Sequence, residues 1–303
     1  GSKLRVVMDW DKLRIFHAVA QAGSFTHAGE ALNLSQSAVS RQVSALEDSL
    51  KTSLFHRHAR GLILTEQGEL LARTTQEVFA KLAMAEAVLT DSKDRPRGEL
   101  KVTTTVGFGS TWVAPRIREF AELYPELSVN LLLDDRELDL SMREADVALR
   151  MRKPTQPDLI QRRLLTVHHH TYASPEYLKR HGTPRTLEDL NSHRLVTYGE
   201  EAPSPITDVN WLTGAAMPPG QRRDSVLRVN NTYAIMLAVE SGLGIAAIPD
   251  YMADENPRLV RVLSDVKAPS FDTYFVYPEE LRHSKRIAVL RDFLINKVAD
   301  WRY

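Results

Sequence analysis

The 303-residue chain contains no cysteine. Disulfide scaffolds, thiolate zinc sites, CxxC redox pairs, cysteine nucleophiles and thiol-based oxidant sensing are therefore excluded. No apolar run reaches the ~18 residues that a membrane-spanning helix needs, so no membrane partner is expected. The opening GSKLRVVMDW lacks the apolar segment of a signal peptide. Gly1-Ser2 reads as a cloning remnant and Met8 as a candidate start, so a cytoplasmic location is expected. Net charge is missing too: 39 Lys+Arg balance 39 Asp+Glu. Catalytic signatures are equally scarce. There is no GxSxG, and GFGST (107–111) lacks the Lys-Ser/Thr ending of a phosphate loop. GLGIAA (242–247) lacks the third glycine of a dinucleotide fingerprint and lies between helix and strand in the wrong order. His168-His169-His170 does not read as a metal site, because alternate strand residues point to opposite faces and no further ligands accompany them. The expectation is a protein that is not an enzyme and uses no cofactor or metal.

What the chain does have is local pattern. At ~100–200 residues per domain its length predicts two or three domains. The neutral total hides a basic start: residues 1–64 carry eight Lys/Arg against five Asp/Glu, while residues 99–303 carry 26 against 28. Trp10, Leu13, Phe16 and Ala20 recur at helical spacing and stop at Gly23. Ser24 can cap a second segment ending at Leu32, and Ser35 a third over 36–50. In the third, Val39, Val43, Leu46 and Leu50 form one apolar stripe. The opposite face carries Gln36, Ser37, Ser40, Arg41 and Ser44, with no acid among them. Small serines let a helix lie deep in a groove, Gln pairs with adenine and Arg with guanine. Two helices joined by a tight turn, the second bearing such a face, form a helix-turn-helix. The other reading is a solvated face, which normally carries more Glu and Lys. Next, LFHRHARGLILT (54–65) places Arg57 and Arg60 beside a turn at Gly61, as in a winged hairpin whose tip touches phosphates.

Residues 65–92 contain no proline. Leu71, Val78 and Ala85 are seven apart, as are Thr75, Leu82 and Leu89, which makes a coiled-coil seam. Its partner is either a second copy or the chain's own domain. A two-fold dimer would present two recognition helices to a palindrome. Asp91 to Gly98, with Pro96, reads as a hinge.

From Leu13 to about Leu71 these motifs strongly resemble the N-terminal domain of LysR-type transcriptional regulators: FHAVAQAGSF, ALNLSQSAVSRQVSALE, LFHRHARGLILT and the following EQG. The resemblance implies a winged helix-turn-helix that binds an interrupted palindrome in promoter DNA. By position, Gln36, Ser37, Ser40 and Arg41 are implied recognition-helix contacts, with Ser35 at the start of that helix. Ser24, Thr26, Arg57 and Arg60 are implied backbone contacts.

Beyond Glu99 strands and helices alternate, which predicts a parallel sheet covered by helices. Strands are expected at 100–106, 127–133, 145–151, 195–198, 226–229, 244–248 and 273–277. Helices are expected at 111–123, 138–143, 175–181, 232–241 and 284–299. The first strand ends in Thr103-Thr104-Thr105, followed by the Gly107-Phe108-Gly109-Ser110 turn and a helix start. A second polar helix start lies at Asn230-Asn231-Thr232. Free N–H groups and the positive dipole end at such starts favour a polar or anionic ligand, although Ser, Thr and Asn cap helices everywhere. Arg150 could add charge and Tyr198 a hydroxyl. The candidate effector contacts are Thr104, Thr105, Gly107, Phe108, Ser110, Arg150, Tyr198, Asn230, Asn231 and Thr232.

YPEL, EADVALR, ASPEYL with HGTP, and AVESGLGIAAIPDYM also resemble the LysR family, whose effector domain is similar to a type 2 periplasmic binding protein. The implied architecture is α/β and multidomain: a winged helix-turn-helix (1–64), a linker dimerisation helix and hinge (65–98), and a two-lobed effector domain (99–303). Lobe one is expected at 99–167 plus 269–303 and lobe two at 168–268. The implied function is a ligand-responsive regulator, with an effector (a small carboxylate is the first guess) bound between the lobes. The implied partners are double-stranded DNA, a homodimer that pairs into a homotetramer, and RNA polymerase. The competing readings are a constitutive DNA binder without an effector, and a solute-binding α/β protein with a helical extension.

Overall fold

The computed structural model describes residues 8–58, 61–91, 95–199, 204–206 and 208–303. The chain forms two compact units, 1–86 and 87–303.

The first unit opens with three capped helices, α1 (Trp10–Ala22), α2 (Phe25–Leu32) and α3 (Gln36–Leu50). Asp9, Ser24 and Ser35 each accept a hydrogen bond from the free backbone N–H three residues on, which starts the helices. Between α2 and α3 the chain reverses at Asn33, which is left-handed (φ 55°). Leu34 N–H donates back to the Gly29 carbonyl at 2.9 Å. A Cβ on Gly29 would lie 2.6 Å from the Leu34 carbonyl oxygen, so only glycine lets the two helices meet this closely. Strands β1 (Phe55–His58) and β2 (Gly61–Leu64) pair antiparallel from Phe55–Leu64 to His58–Gly61. Ile15, Phe16, Val19, Ala28, Val39, Val43, Leu46, Leu54 and Phe55 form the core, which buries the apolar stripe of α3 and leaves its polar face outward.

Helix α4 (Glu66–Thr90) follows. Thr65 caps it: its hydroxyl accepts from Gly68 N–H at 3.0 Å and donates to the Ser53 carbonyl at 2.7 Å. The boundary between the units falls inside this helix, at Glu86/Ala87. The expected seam divides along its length. Leu71 packs partly buried against the core of its own unit and Thr75 is buried. This end of α4 thus also anchors the winged domain. Val78, Leu82, Ala85 and Leu89 are exposed, Leu89 at 84%.

In the second unit, β3 (Gly98–Thr104) pairs parallel with β4 (Leu127–Leu133) and β5 (Val147–Arg150). Between β3 and β4 run α5 (Val106–Phe108), a wide π turn over Gly109–Val113, and α6 (Ala114–Leu123). The helix expected from 111 thus begins five residues early, because Thr105 ends the strand and caps it. Pro115 lacks the N–H that would close the preceding α turn, consistent with the π turn there. No helix forms over 138–143. Asp139 accepts from Ser141 N–H and Met142 N–H, and Arg143 is left-handed (φ 55°), so a capped turn satisfies the backbone locally.

The remaining elements are β6 (Leu159–Ala173), α7 (Pro175–His181), β7 (Leu195–Tyr198), α8 (Trp211–Gly214), β8 (Ser225–Val229), α9 (Thr232–Glu240), β9 (Ala246–Pro249), α10 (Asp250–Ala253), β10 (Val260–Val262), β11 (Ser270–Pro278) and α11 (Lys285–Val298). Strand β6, unforeseen at this length, organises the unit. Leu159 to His168 pair with β11, while His169 to Ala173 pair with β9 and β10. One lobe is thus the β4-β3-β5-β11-β6 sheet, with Leu100, Val102, Leu149, Phe120, Leu290 and Leu294 in its core. The other gathers β9 and β10 around the far end of β6, with parallel β7-β8 bridged to it at Leu195–Ile245. Its core holds Val196, Tyr198, Ile235, Val239 and Ile248.

Candidate nucleic-acid interface and ligand cleft

The outer face of α3 begins at the positive end of the helix, where no acidic residue occupies the first turn. Gln36, Ser37 and Arg41 are exposed and Ser40 is half-buried. Arg41 makes no hydrogen bond or ion pair among the described residues, so its five donors face solvent. Ser35 is used as a cap, with its Oγ 3.2 Å from that of Ser37. Ser24 caps α2 in the same way, and Thr26 is exposed in the first turn of that helix.

Arg57 has a structural task that the sequence reading did not give it. Its Nη2 donates to Ser44 Oγ and to Glu47 Oε1, both at 3.0 Å, and its guanidinium lies 5.9 Å from the Phe25 ring centre. Glu47 Oε2 accepts from Leu54 N–H at 2.8 Å. The pair fastens the wing strand β1 to the recognition helix. Half of the Arg57 side chain remains exposed, against 12% of Glu47. Arg60 lies outside the described residues.

In the second unit the candidate contacts separate into three groups. Thr104, Thr105 and Asn231 have partners within the chain: Thr104 Oγ1 donates to the Leu149 carbonyl of the neighbouring strand, Thr105 Oγ1 accepts from Phe108 N–H, and Asn231 Oδ1 accepts from Ala234 N–H. Phe108 is fully buried, stacked on Trp112 at 5.1 Å and edge-on to Tyr251, so its ring belongs to the core. Gly107 is buried against the other lobe, where an added Cβ would stand 3.5 Å from Thr232 Cβ. The two helix starts therefore meet in contact. Ser110 is half-buried and Asn230 exposed.

Tyr198 and Arg150 form the third group. Tyr198 OH donates to Asp135 Oδ2 at 3.0 Å, and Asp135 Oδ1 accepts from Val106 N–H at 2.9 Å. Burial pushes the Asp135 carboxyl above its ordinary range, with the two hydrogen bonds opposing, and burial beside Asp135 raises the Tyr198 hydroxyl. Arg150 is 6% exposed; its Nη2 donates to the Leu138 carbonyl at 2.9 Å, while its buried Nε has no partner among the described residues. Burial lowers the pKa of this guanidinium. Arg150 lines one small cavity with Thr104, Thr105 and Asp135, and a second of about 330 Å³ with Leu138, Ser141, Gln156 and Asp158. Asp135 was not foreseen: it stands 29 residues from Val106 and 63 from Tyr198, and no local pattern marks it.

Two family profiles match the chain: the LysR substrate binding domain over 93–299, and the bacterial regulatory helix-turn-helix protein, lysR family, over 10–69. The chain belongs to the LysR family of DNA-binding transcriptional regulators. It is 31% identical over 281 residues to an uncharacterized HTH-type transcriptional regulator of Haemophilus influenzae, covering 90% of this chain and 96% of that one. It is 30% identical to the HTH-type transcriptional regulator CrgA of Neisseria meningitidis, covering 96% of this chain and 97% of CrgA. The solved CrgA structure superposes with a TM-score of 0.61 at 27% identity, over 97% of this chain and 100% of that one. The full-length virulence activator AphB of Vibrio cholerae gives 0.61 at 26% identity, over 95% and 99%.

Within this LysR family member, no group of three or more His, Asp or Glu side chains could hold a metal ion among the described residues. No described helix is long and apolar enough to cross a membrane.

Proposed function

We propose that this LysR family member is a sequence-specific, ligand-responsive transcriptional regulator acting in the cytoplasm. Gln36, Ser37, Ser40 and Arg41 enter the major groove, Ser24, Thr26, Arg57 and Arg60 hold the phosphate backbone, and Ser35 meets the DNA at the start of α3. The division of labour is 1–64 for DNA, 65–98 for self-association and 99–303 for the effector. Two copies pair along Leu71, Val78, Leu82, Ala85 and Leu89, dimers associate into a tetramer, and RNA polymerase is the further partner. A small polar or anionic metabolite binds between lobe one (99–167 with 269–303) and lobe two (168–268), and the chain carries out no catalysis.

The observation that supports this reading best is the exposed, acid-free face of α3 with an unpaired Arg41 on it. Arg41→Ala should lower the preference for promoter over random DNA by ~1–3 kcal/mol, measured by fluorescence anisotropy at fixed salt. Equal weakening on both DNAs would make Arg41 a phosphate contact only, and no complex of the wild type at low salt would overturn the regulator reading.

A further inference from the structure

The cleft of this protein already holds a carboxylate. Asp135 lies on the loop after β4, in one lobe. Its two oxygens are taken by donors from different lobes: Val106 N–H at the start of α5, and the hydroxyl of Tyr198 at the end of β7. Tyr198 is 2% exposed and held in place by a reciprocal backbone pair with the Asn210 side chain at 2.9 Å each way. Its hydroxyl therefore points to a fixed place. The neighbouring Asp134 is bound instead by Arg136, at 2.9 Å, and takes no part.

Arg150 in the same cavity wall supplies an independent sign. Its side chain is more than nine-tenths buried, its Nε is unpartnered among the described residues, and Asp135 is not among its partners. Glu137 and Asp139 act on it through space, but no carboxylate hydrogen-bonds its Nε among the described residues, so the guanidinium retains donor capacity. Asp135 is also poorly compensated where it sits, since burial raises its pKa despite both hydrogen bonds.

We propose that Val106 N–H, Tyr198 OH and Arg150 form a carboxylate-binding subsite that the chain's own Asp135 occupies, so that a carboxylate effector must displace Asp135 to bind. This rests on the ligand-responsive reading above. It makes Asp135 an internal competitor, holding the lobes together in the absence of effector and setting how much affinity an effector needs.

The test is anion rescue in the full-length protein, with sodium formate as the probe and sodium chloride at equal ionic strength as the control. Asp135→Ala removes the occupant and leaves its donors in place. Formate should raise the Tm of Asp135→Ala by about 2–4 °C over chloride, and move the wild type and the Asp135→Ala/Tyr198→Phe double variant by less than about 1 °C. No formate-specific shift in Asp135→Ala, or an equal shift in the wild type, would overturn the proposal. If Asp135→Ala does not fold, Asp135→Ser leaves room for the same anion and is read in the same way. Operator binding is measured in parallel: its absence would remove the regulator reading while the formate result still decides the subsite.

Discussion

The polar side chains of the recognition helix and those of the cleft are in opposite states. On α3, Gln36, Ser37 and Arg41 project outward and the folded chain makes little use of them. In the cleft, Thr104, Thr105, Tyr198 and Asn231 are all engaged by the chain itself. A rigid polymer such as DNA can be met by a face prepared in advance. A site between two lobes is closed in on itself until something replaces its internal bonds. On the proposed reading, unused donors mark function in the first unit, and in the second the informative groups are Asp135, which fills the site, and the unpartnered Arg150 beside it.

That contrast can be broken by measuring which polar groups matter to folding. The largest effect belongs to His169, on the strand that joins the lobes. Burial lowers its pKa from 6.5 to about 4. The unfolded chain binds a proton as pH falls through 6.5 and the native chain does not until about 4, so stability should drop by about 3 kcal/mol across that window. Urea unfolding between those limits should show a flatter acid limb for His169→Gln; an unchanged limb would remove His169 as its source.

The next effect is steric and lies in the first unit. A Cβ on Gly68 would stand 2.0 Å from the Leu54 carbonyl oxygen. Gly68→Ala should cost ~1–3 kcal/mol even though alanine favours a helix interior by about 1 kcal/mol. A stabilised variant would show that α4 is not seated on the wing as described. Smaller still is the wing clamp. A double-mutant cycle over Glu47→Gln and Arg57→Ala should give a coupling of roughly 0.2–1 kcal/mol, because Arg57 is half exposed. The smallest effect sharpens the contrast most. Arg41→Ala should change folding stability by less than ~0.5 kcal/mol while it alters DNA discrimination.

How much could be read from the sequence follows from how local each feature is. The left-handed stop of α3 at Lys51 carried no signal, but helices α2 and α3 were legible because a serine cap opens each and, in α3, an apolar stripe runs its length. The acid-free face was legible for the same reason. The alternation of strands and helices beyond residue 98 was clear, yet the turn at 138–143 reads as a helix until Asp139 is seen to bond its own backbone. Strand β6 was obscured because its partners come from 74 to 119 positions downstream. Phe108 looked like part of a ligand turn and lies in the core, since the helix begins early at Val106 and packs its ring against Trp112 and Tyr251. The Arg57–Glu47 clamp and Asp135 depend on side chains meeting across the fold, which no spacing announces.

Strand β6 exchanges partners at His168/His169 without an interruption in its backbone. The strand is not regular throughout: a register shift against β11 beside Leu164 bends it locally and adds twist. Reorientation of the two halves has to be absorbed as twist near that exchange point and at the start of β11, where the chain returns. If an effector shifts the lobes, this strand is the continuous connection along which the shift passes from one sheet to the other.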